Sequence, residues 1–544
     1  MTTLKIMAKS KLNKDRILLL ILFIIFIFLR IFSNKDYYFI QGTDAATYLN
    51  LAKNFPYHTF YNNQFYLMHP PLYPYAVYFA GLLFEDHIAG IFVSLASASI
   101  TFFIIYKLVK LISNRYIALG TLILYSISDV YIRFSTDIVK ESFAVMLILA
   151  SLHNYVLFLK ESKSKYVAYS SIFAILLAMT TDHAIFLIPS LIICYFIFGK
   201  NVKMRYAIIP IILAVAAYSS WLGIRLYVYS NNEFYPAAVD GSIVKTSDWG
   251  LKQLLSPHFF KEEDEKFHTL GYSFSPSHYI YNAAYLLNLK IAPLPKGLRF
   301  TDISSYISIK YAFVFLTYFI IALGALFGVY AILKSSLNHI QDSGMVFSLL
   351  LSFIFLFPIT QKNVSYRYII TSTIFLFVII SYGFYFIANY FKILNFYKIG
   401  IVLLVSILFL YLPFYYASNP YSIFSKKKVV ELANTAEFIN KLPMDGVMAQ
   451  IGYTPELDYL SDKRVMAWPM NVDYMFLISE YNISYIMYGE FYGNTFSDSE
   501  ANVDEELIKY VQYNPRKFRL LRVIEEDYPF ISKKDHIHIY EVIS

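Results

Sequence analysis

Eleven long apolar runs divide the first 417 residues of this chain, and they constrain its fold more than any other feature. A helix needs about 20 apolar residues to cross a bilayer, where every main-chain polar group must be hydrogen-bonded within the protein. Only 15% of the residues are charged, against about 25% in soluble domains. The sequence therefore predicts an all-α, multi-spanning membrane domain of about eleven transmembrane helices. The runs fall near 17–33, 87–106, 116–130, 138–159, 166–181, 184–199, 206–229, 308–333, 345–360, 368–391 and 398–417.

Basic residues alternate between the two sides of these runs. Lysines and arginines collect before the first run and in the connections that follow the even-numbered runs. Because cytoplasmic loops are enriched in Lys and Arg, the N-terminus is predicted to be cytoplasmic. The loops 34–86 and 230–306 and the C-terminal region 418–544 are then extracytoplasmic. The net charge of +8 lies in these short clusters, which does not indicate nucleic-acid binding, and a single cysteine, Cys194, excludes an internal disulfide.

The character of the chain changes after residue 417. The strand-like runs "GVMAQIG", "ISYIMYG", "RLLRVI" and "HIHIYEVI" alternate with the helix-like stretches "VVELANTAEFINKL" and "NVDYMFLISEYN". This order is typical of a small α/β domain. The predicted domains are therefore a transmembrane domain over residues 1–417 and an extracytoplasmic α/β domain over residues 418–544.

Ionisable residues gather at the predicted outer ends of the helices. The stretch "SDVYIRFSTDIVKES" places Arg133, Asp137, Lys140 and Glu141 in one short outer connection. Their spacing of four puts Asp137 and Glu141 on one helix face, with Arg133 one turn earlier if the helix extends that far. Such charges could simply pair with one another or complement a helix dipole. Charged groups at membrane depth are costly, however, and tend to mark function.

Further ionisable residues are predicted at the same level. Asp44 begins an amphipathic, helix-like stretch, where it could equally be an N-cap. His69 precedes two prolines that favour an extended backbone. An arginine near a helix end could also extend its charge into the interface with water. As a set, these groups suit a chemistry in which Arg and Lys hold a lipid-linked phosphate and a carboxylate deprotonates an incoming hydroxyl. The other members of the set are Asp182, His183, Arg225, Lys362 and Arg367.

Several of these segments resemble the GT-C fold integral-membrane glycosyltransferases, in particular the family 39-like branch of protein O-mannosyltransferases and aminoarabinose transferases. The resemblance rests on "TDAATYLNLAKNFPYHTFYNNQFYLMHPPLYPY", "STDIVKES" and "SYRYIITSTIFLF", followed by a C-terminal extracytoplasmic domain. It implies transfer of a sugar, with inversion, from a polyprenyl-phosphate donor to a protein, lipid or glycan acceptor outside the cytoplasm. It implies membrane lipids as partners, and neither a metal nor any other cofactor.

The resemblance also implies roles for particular residues. Asp44 matches the first-loop acid that is catalytic or positions the substrate. Many members carry an Asp-Glu pair where this chain has Asp44-Ala45, so Asp137 or Glu141 could supply the second acid. Arg367 matches a basic residue that contacts phosphate, and Arg225 or Lys140 is the candidate for a second one. The WWDYG motif of oligosaccharyltransferases is absent, which argues against transfer of a whole glycan. The residues expected to bind substrate are His69, Arg133, Lys140, Asp182, His183, Arg225, Lys362 and Arg367.

A transporter or lipid flippase is the alternative function. Such a protein would need ionisable residues in the middle of the membrane, and it often contains an inverted repeat. The charges of this chain instead lie at the ends of the apolar runs, and its sequence contains no evident repeat. The sequence therefore favours the transferase.

Overall fold

The computed structural model describes the N-terminal helices, much of the membrane domain and the sheet of the C-terminal region. The described residues are 2–33, 43–57, 59–60, 64–65, 70–199, 202–231, 234–237, 242–245, 343–356, 370–390, 433–449, 454–463, 465–467, 478–479, 482–489, 509–527 and 534–543.

Most of the described elements before residue 400 are α-helices, and most of those after it are strands. In chain order the helices are α1 Thr2–Ser33, α2 Thr43–Lys53, α3 Leu72–Gly81, α4 Asp86–Ile112, α5 Arg115–Ile127, α6 Asp129–Phe134, α7 Glu141–Glu161, α8 Ser164–Ala178, α9 Leu187–Phe198, α10 Met204–Ala207, α11 Ile209–Asn231, α12 Ser343–Leu356, α13 Ile370–Tyr390 and α14 Thr454–Leu460, with a 3-10 helix at Asp182–Phe186. The strands are β1 Thr59–Phe60, β2 Gln64–Phe65, β3 Phe234–Ala237, β4 Ser242–Lys245, β5 Val447–Ala449, β6 Val465–Ala467, β7 Tyr485–Gly489, β8 Phe518–Asp527 and β9 Lys534–Val542.

Four described helices are long and apolar enough to cross a membrane, and three apolar helices are shorter. At about 1.5 Å per residue, the 27 residues of α4 exceed the thickness of a bilayer core, which is about 30 Å. The predicted runs 308–333 and 398–417 lie outside the described residues, so the number eleven stays a prediction. The four long segments are Asp86–Ile112, Glu141–Glu161, Met204–Tyr227 and Ile370–Asn389, and the shorter ones are Arg115–Ile127, Ser164–Ala178 and Ala184–Phe198.

Helix α7 lies inside the helical core, where it packs against α4, α8 and α9, while α13 packs against α5 and α12. The core joins Phe102 of α4, Tyr155 of α7 and Phe347 of α12, all of which are fully buried. Apolar side chains of α4 and α11, such as Phe92 and Ile212, are exposed instead. An outward apolar face on a long helix fits contact with lipid chains.

One predicted helix is divided in two. The apolar run 116–130 forms α5 and the separate short helix α6, with the extended residue Ser128 between them. Helix α5 begins where Asn114 accepts hydrogen bonds from the main-chain N–H groups of Tyr116 and Ile117, as an N-cap does. The break redirects the chain, so that the charged stretch after α6 lies against α4 and α7.

The C-terminal region contains a five-stranded sheet in the order β6-β5-β7-β9-β8. Strand β5 pairs in parallel with β6 and β7, whereas β9 pairs antiparallel with β7 and β8. Four of these strands fall in stretches that the sequence predicts to be strands, but β6 and α14 were not predicted. Both are short, and β6 has only three residues, which is too few for an alternating pattern to be recognised.

Candidate functional site

Hydroxyl groups hold the connection between α6 and α7 in place. Ser135 donates to the carbonyl of Ile132 at 2.8 Å, and Ser142 donates to the carbonyl of Phe134 at 2.7 Å. Ser94 of α4 reaches the carbonyl of Val139 at 3.4 Å. These bonds satisfy carbonyl groups that helix geometry leaves free. We call residues 135–140 the elbow. Its charged side chains therefore project from a fixed backbone.

An ion pair joins the end of α6 to the elbow. Arg133 Nε donates to Asp137 Oδ2 at 3.1 Å; the Arg133 side chain is 71% exposed and that of Asp137 only 8%. The prediction that Asp137 and Glu141 share one helix face is wrong, because α7 begins at Glu141 and Asp137 lies before that helix. Both acids are nevertheless buried, and Asp137 lies within electrostatic range of Glu141.

A second ion pair is almost entirely buried. Arg225 of α11 donates to Asp182 Oδ2 at 3.0 Å, and the two side chains are 1% and 3% exposed. Burial lowers the pKa of Lys140. The carboxylates of Glu141 and Asp182 oppose this shift, and the guanidinium of Arg225 adds to it. Lys140 is thus within electrostatic range of all three residues. The fold brings together charges from the elbow, the 3-10 helix and α11.

Glu141 occupies the first turn of α7, where a negative charge is favoured by the helix dipole. Its side chain is buried, and within the described residues its Oε2 atom has no hydrogen-bond partner. A buried carboxylate oxygen without a partner is costly, and in a cleft it marks a candidate for proton transfer or ligand contact. Together, Asp137, Lys140, Glu141, Asp182 and Arg225 form what we call the charge cluster.

Tyr73 of α3 and Ser94 of α4 border the charge cluster and were not predicted. The Tyr73 hydroxyl and Ser94 Oγ are 3.0 Å apart, and the tyrosine is fully buried. Burial raises the pKa of Tyr73, and the carboxylates of Glu141 and Asp137 raise it further. The position of Tyr73 just after two prolines could have singled it out, whereas nothing local distinguishes Ser94.

Arg30 of α1 is another buried residue that sequence reasoning missed. Its guanidinium lies 3.5 Å from the centre of the Phe26 ring and donates to the carbonyls of Phe26 and of Ser126 in the last turn of α5. A cation at the C-terminal end of a helix complements the helix dipole. Arg30 therefore holds α1 against the end of α5, directly before α6.

The remaining predicted residues lie partly or wholly outside the described part of the chain. Asp44 lies in the first turn of α2, within the helix, and the structure describes its backbone only. His183 lies in the 3-10 helix beside Asp182, again with only its backbone described. His69, Lys362 and Arg367 lie outside the described residues. The predicted meeting of Asp44 with Arg367 therefore stays a prediction.

Two described contacts place α2 and α3 near the charge cluster. The rings of Tyr48 in α2 and Tyr73 in α3 meet edge to face, with their centroids 4.9 Å apart. The main-chain N–H of Leu72 donates to the carbonyl of Met179 at 2.9 Å, which ties the start of α3 to the end of α8. Helix α2, which carries Asp44, therefore contacts Tyr73 at the border of the charge cluster through the ring of Tyr48.

Apolar helices that enclose buried charges define a class, the membrane proteins. A family model described as dolichyl-phosphate-mannose-protein mannosyltransferase matches residues 68–223, from just before α3 into α11. This match includes every residue of the charge cluster except Arg225, which lies just beyond the end of the matched segment. A comparison with curated proteins finds no matching sequence.

Solved structures support the same fold. ArnT from Cupriavidus metallidurans in the apo state matches with a TM-score of 0.58 and 10% identity, over 96% of this chain and 97% of that chain. The oligosaccharyltransferase AglB from Archaeoglobus fulgidus, with an inhibitory peptide and a dolichol-phosphate, matches with a TM-score of 0.51 and 14% identity, over 88% of this chain and 69% of that one. The resemblance to the GT-C membrane glycosyltransferases is therefore confirmed, and the chain is a membrane protein.

Proposed function

We propose that this chain is an inverting glycosyltransferase that moves a sugar from a polyprenyl-phosphate donor to an extracytoplasmic acceptor. The observation that carries the proposal is the charge cluster, which gathers both signs of charge at one end of the helical core. In the proposed topology the chain crosses the membrane about eleven times, its N-terminus is cytoplasmic, and the cluster and residues 418–544 are extracytoplasmic.

The reaction requires a base and a stabilised leaving group. Asp44 accepts the proton of the acceptor hydroxyl as its oxygen attacks the anomeric carbon of the sugar. The bond between that carbon and the phosphate oxygen breaks, and polyprenyl phosphate leaves with the electron pair. Lys140 and Arg367 stabilise the negative charge that develops on the phosphate.

The other residues of the cluster hold these groups in position. Arg225 is buried and paired with Asp182. We therefore assign to this ion pair the role of holding Lys140 in position, and not direct contact with the donor. Asp137 and Glu141 are the candidates for the second acid. The Oε2 atom of Glu141 has no hydrogen-bond partner among the residues that the structure describes, which favours Glu141 for the acceptor hydroxyl.

The solved relatives support a lipid-phosphate donor. ArnT from Cupriavidus metallidurans has also been crystallised with undecaprenyl phosphate, and this structure matches the chain with a TM-score of 0.57. The AglB complex contains a dolichol-phosphate. Both ligands combine a long apolar chain with a phosphate, which apolar helices and buried cations can accommodate together.

The decisive experiment compares Asp44→Asn with Asp86→Asn, a control at an exposed acid in the same outer region. Purified variants in nanodiscs would receive undecaprenyl-phosphate and dolichyl-phosphate sugars, radiolabelled in mannose, glucose or aminoarabinose, with membranes of the source organism as acceptor. We expect D44N to abolish transfer of label and D86N to retain it. Full activity of D44N would remove the base from the mechanism. Uptake of label into proteoliposomes without product would favour a transporter instead.

A further inference from the structure

Helix α2 lies between the membrane domain and the C-terminal domain. Its residues from Ala45 to Ala52 are all buried, including the polar Thr47 and Asn50. On one side α2 packs against α3, and on the other it packs against α14 of the C-terminal domain. The sequence predicts an amphipathic helix here, but the fold covers both of its faces.

A cation at the end of α2 joins the two domains. Lys53 Nζ donates to the main-chain carbonyl of Tyr459 at 3.2 Å and lies 4.0 Å from the centre of the Tyr459 ring. The carbonyl and the ring belong to the same residue near the C-terminal end of α14, where a positive charge also complements the helix dipole. Lys53 is exposed to solvent, so this contact alone adds little to stability.

The surroundings of Tyr459 extend the contact. Tyr459 and Leu460 pack against the apolar cluster formed by α2, α3 and the start of α4. Burial, together with the nearby carboxylates of Asp86 and Glu85, raises the pKa of Tyr459 to about 12. One turn of α14 therefore touches α2 while it lies beside the outer end of α4.

We infer that Lys53 and Tyr459 are positioning residues, through which the C-terminal domain sets the angle of α2 and thereby the place of Asp44 in the active site. The inference rests on the proposed function, because it assumes that Asp44 is the base. Asp44 lies nine residues before Lys53, or about 14 Å along a helix that moves as a rigid rod. A small tilt at the Lys53 end therefore displaces the carboxylate at the other end.

The chain offers a matched set of variants to test this. Lys53→Met removes the charge and keeps the length of the side chain, whereas Lys53→Arg keeps a cation that can bond a carbonyl and lie over a ring. Tyr459→Leu removes the ring, whereas Tyr459→Phe keeps both the ring and the main-chain carbonyl. Lys441→Met is the surface control, because Lys441 is an exposed lysine of the same domain that pairs only with its helix neighbour Glu437 among the ion pairs described.

Each variant would be assayed for kcat and donor KM with the polyprenyl-phosphate sugars named above, and its melting temperature would be measured in detergent. We expect K53M and Y459L to lower kcat about tenfold, with donor KM within about twofold, since a displaced base slows the chemical step. K53R, Y459F and K441M should retain wild-type kcat. Variants that melt below the assay temperature would be compared at a lower temperature.

The outcomes separate the inference from the proposed function. If D44N abolishes transfer while K53M and Y459L keep full kcat, the positioning role is wrong and the proposed base stands. If K53M and K53R lose activity equally, a specific cation contact is also refuted. If the wild type transfers no sugar with any donor while it binds polyprenyl phosphate, both the base and its positioning residues fall together.

Discussion

Neutralising Asp182 should destabilise the protein more than neutralising Arg225, although the two residues share one ion pair. With Asp182→Asn, the buried cations Arg225 and Lys140 remain within electrostatic range of each other, but the negative charge that offsets their repulsion is removed. With Arg225→Met, Asp182 still has Lys140 nearby, and the methionine keeps the apolar part of the stem beside Trp221. The asymmetry therefore follows from the position of Lys140.

The magnitude follows from the separation of 3.0 Å between the paired atoms. At an effective dielectric constant of about 20, two unit charges at this distance attract by about 5.5 kcal/mol, before desolvation is subtracted. Removing one member of a buried pair typically costs about 3–5 kcal/mol. We expect D182N to lie in that range, R225M to cost about 2 kcal/mol less, and the two changes to be coupled by about 3 kcal/mol.

The assay is denaturant-induced unfolding in mixed micelles for the wild type, D182N, R225M and the double variant. The exposed pair of Glu437 and Lys441 supplies the control cycle, for which we expect no measurable coupling. If the effects of D182N and R225M simply add to within about 0.5 kcal/mol, the pair does not interact in the folded protein. If R225M is the more damaging change, the assigned influence of Lys140 is wrong.

Two further predictions concern other parts of the molecule. Desolvation raises the pKa of Asp458 in α14 from 3.8 to about 7, so its contribution to stability is present below about pH 4 and is lost as the pH rises towards 7. Asp458→Asn should therefore gain in melting temperature relative to the wild type between pH 5 and pH 8, and an unchanged difference would refute the shifted pKa. A Cβ atom on Gly90 of α4 would lie 2.5 Å from the side chain of Ile138, next to Asp137, whereas one on Gly223 would meet nothing within 4 Å. Gly90→Ala should thus lower kcat while Gly223→Ala does not, and equal activities would show that the elbow tolerates the shift.

The sequence was a good guide wherever structure depends on local composition. Nine of the eleven apolar runs fall on described helices, because a helix at membrane depth needs only an uninterrupted apolar stretch. The C-terminal strands β5, β7, β8 and β9 were predicted for a similar reason, since their residues favour an extended chain. Short elements such as β6 and α14 carry too few residues for such a signal.

Amino-acid sequence by itself determined the membrane helices and the level at which the charges collect, because both depend on the free energy of placing single residues in lipid or water. Only the tertiary structure decided which charges meet. Asp182 and Arg225 are 43 residues apart, and Tyr73 and Ser94 reach the cluster through the packing of α3 on α4. The burial of α2 likewise depends on α14, which follows it by some 400 residues. Contacts between distant segments are set by how whole helices pack, and no local pattern records that packing.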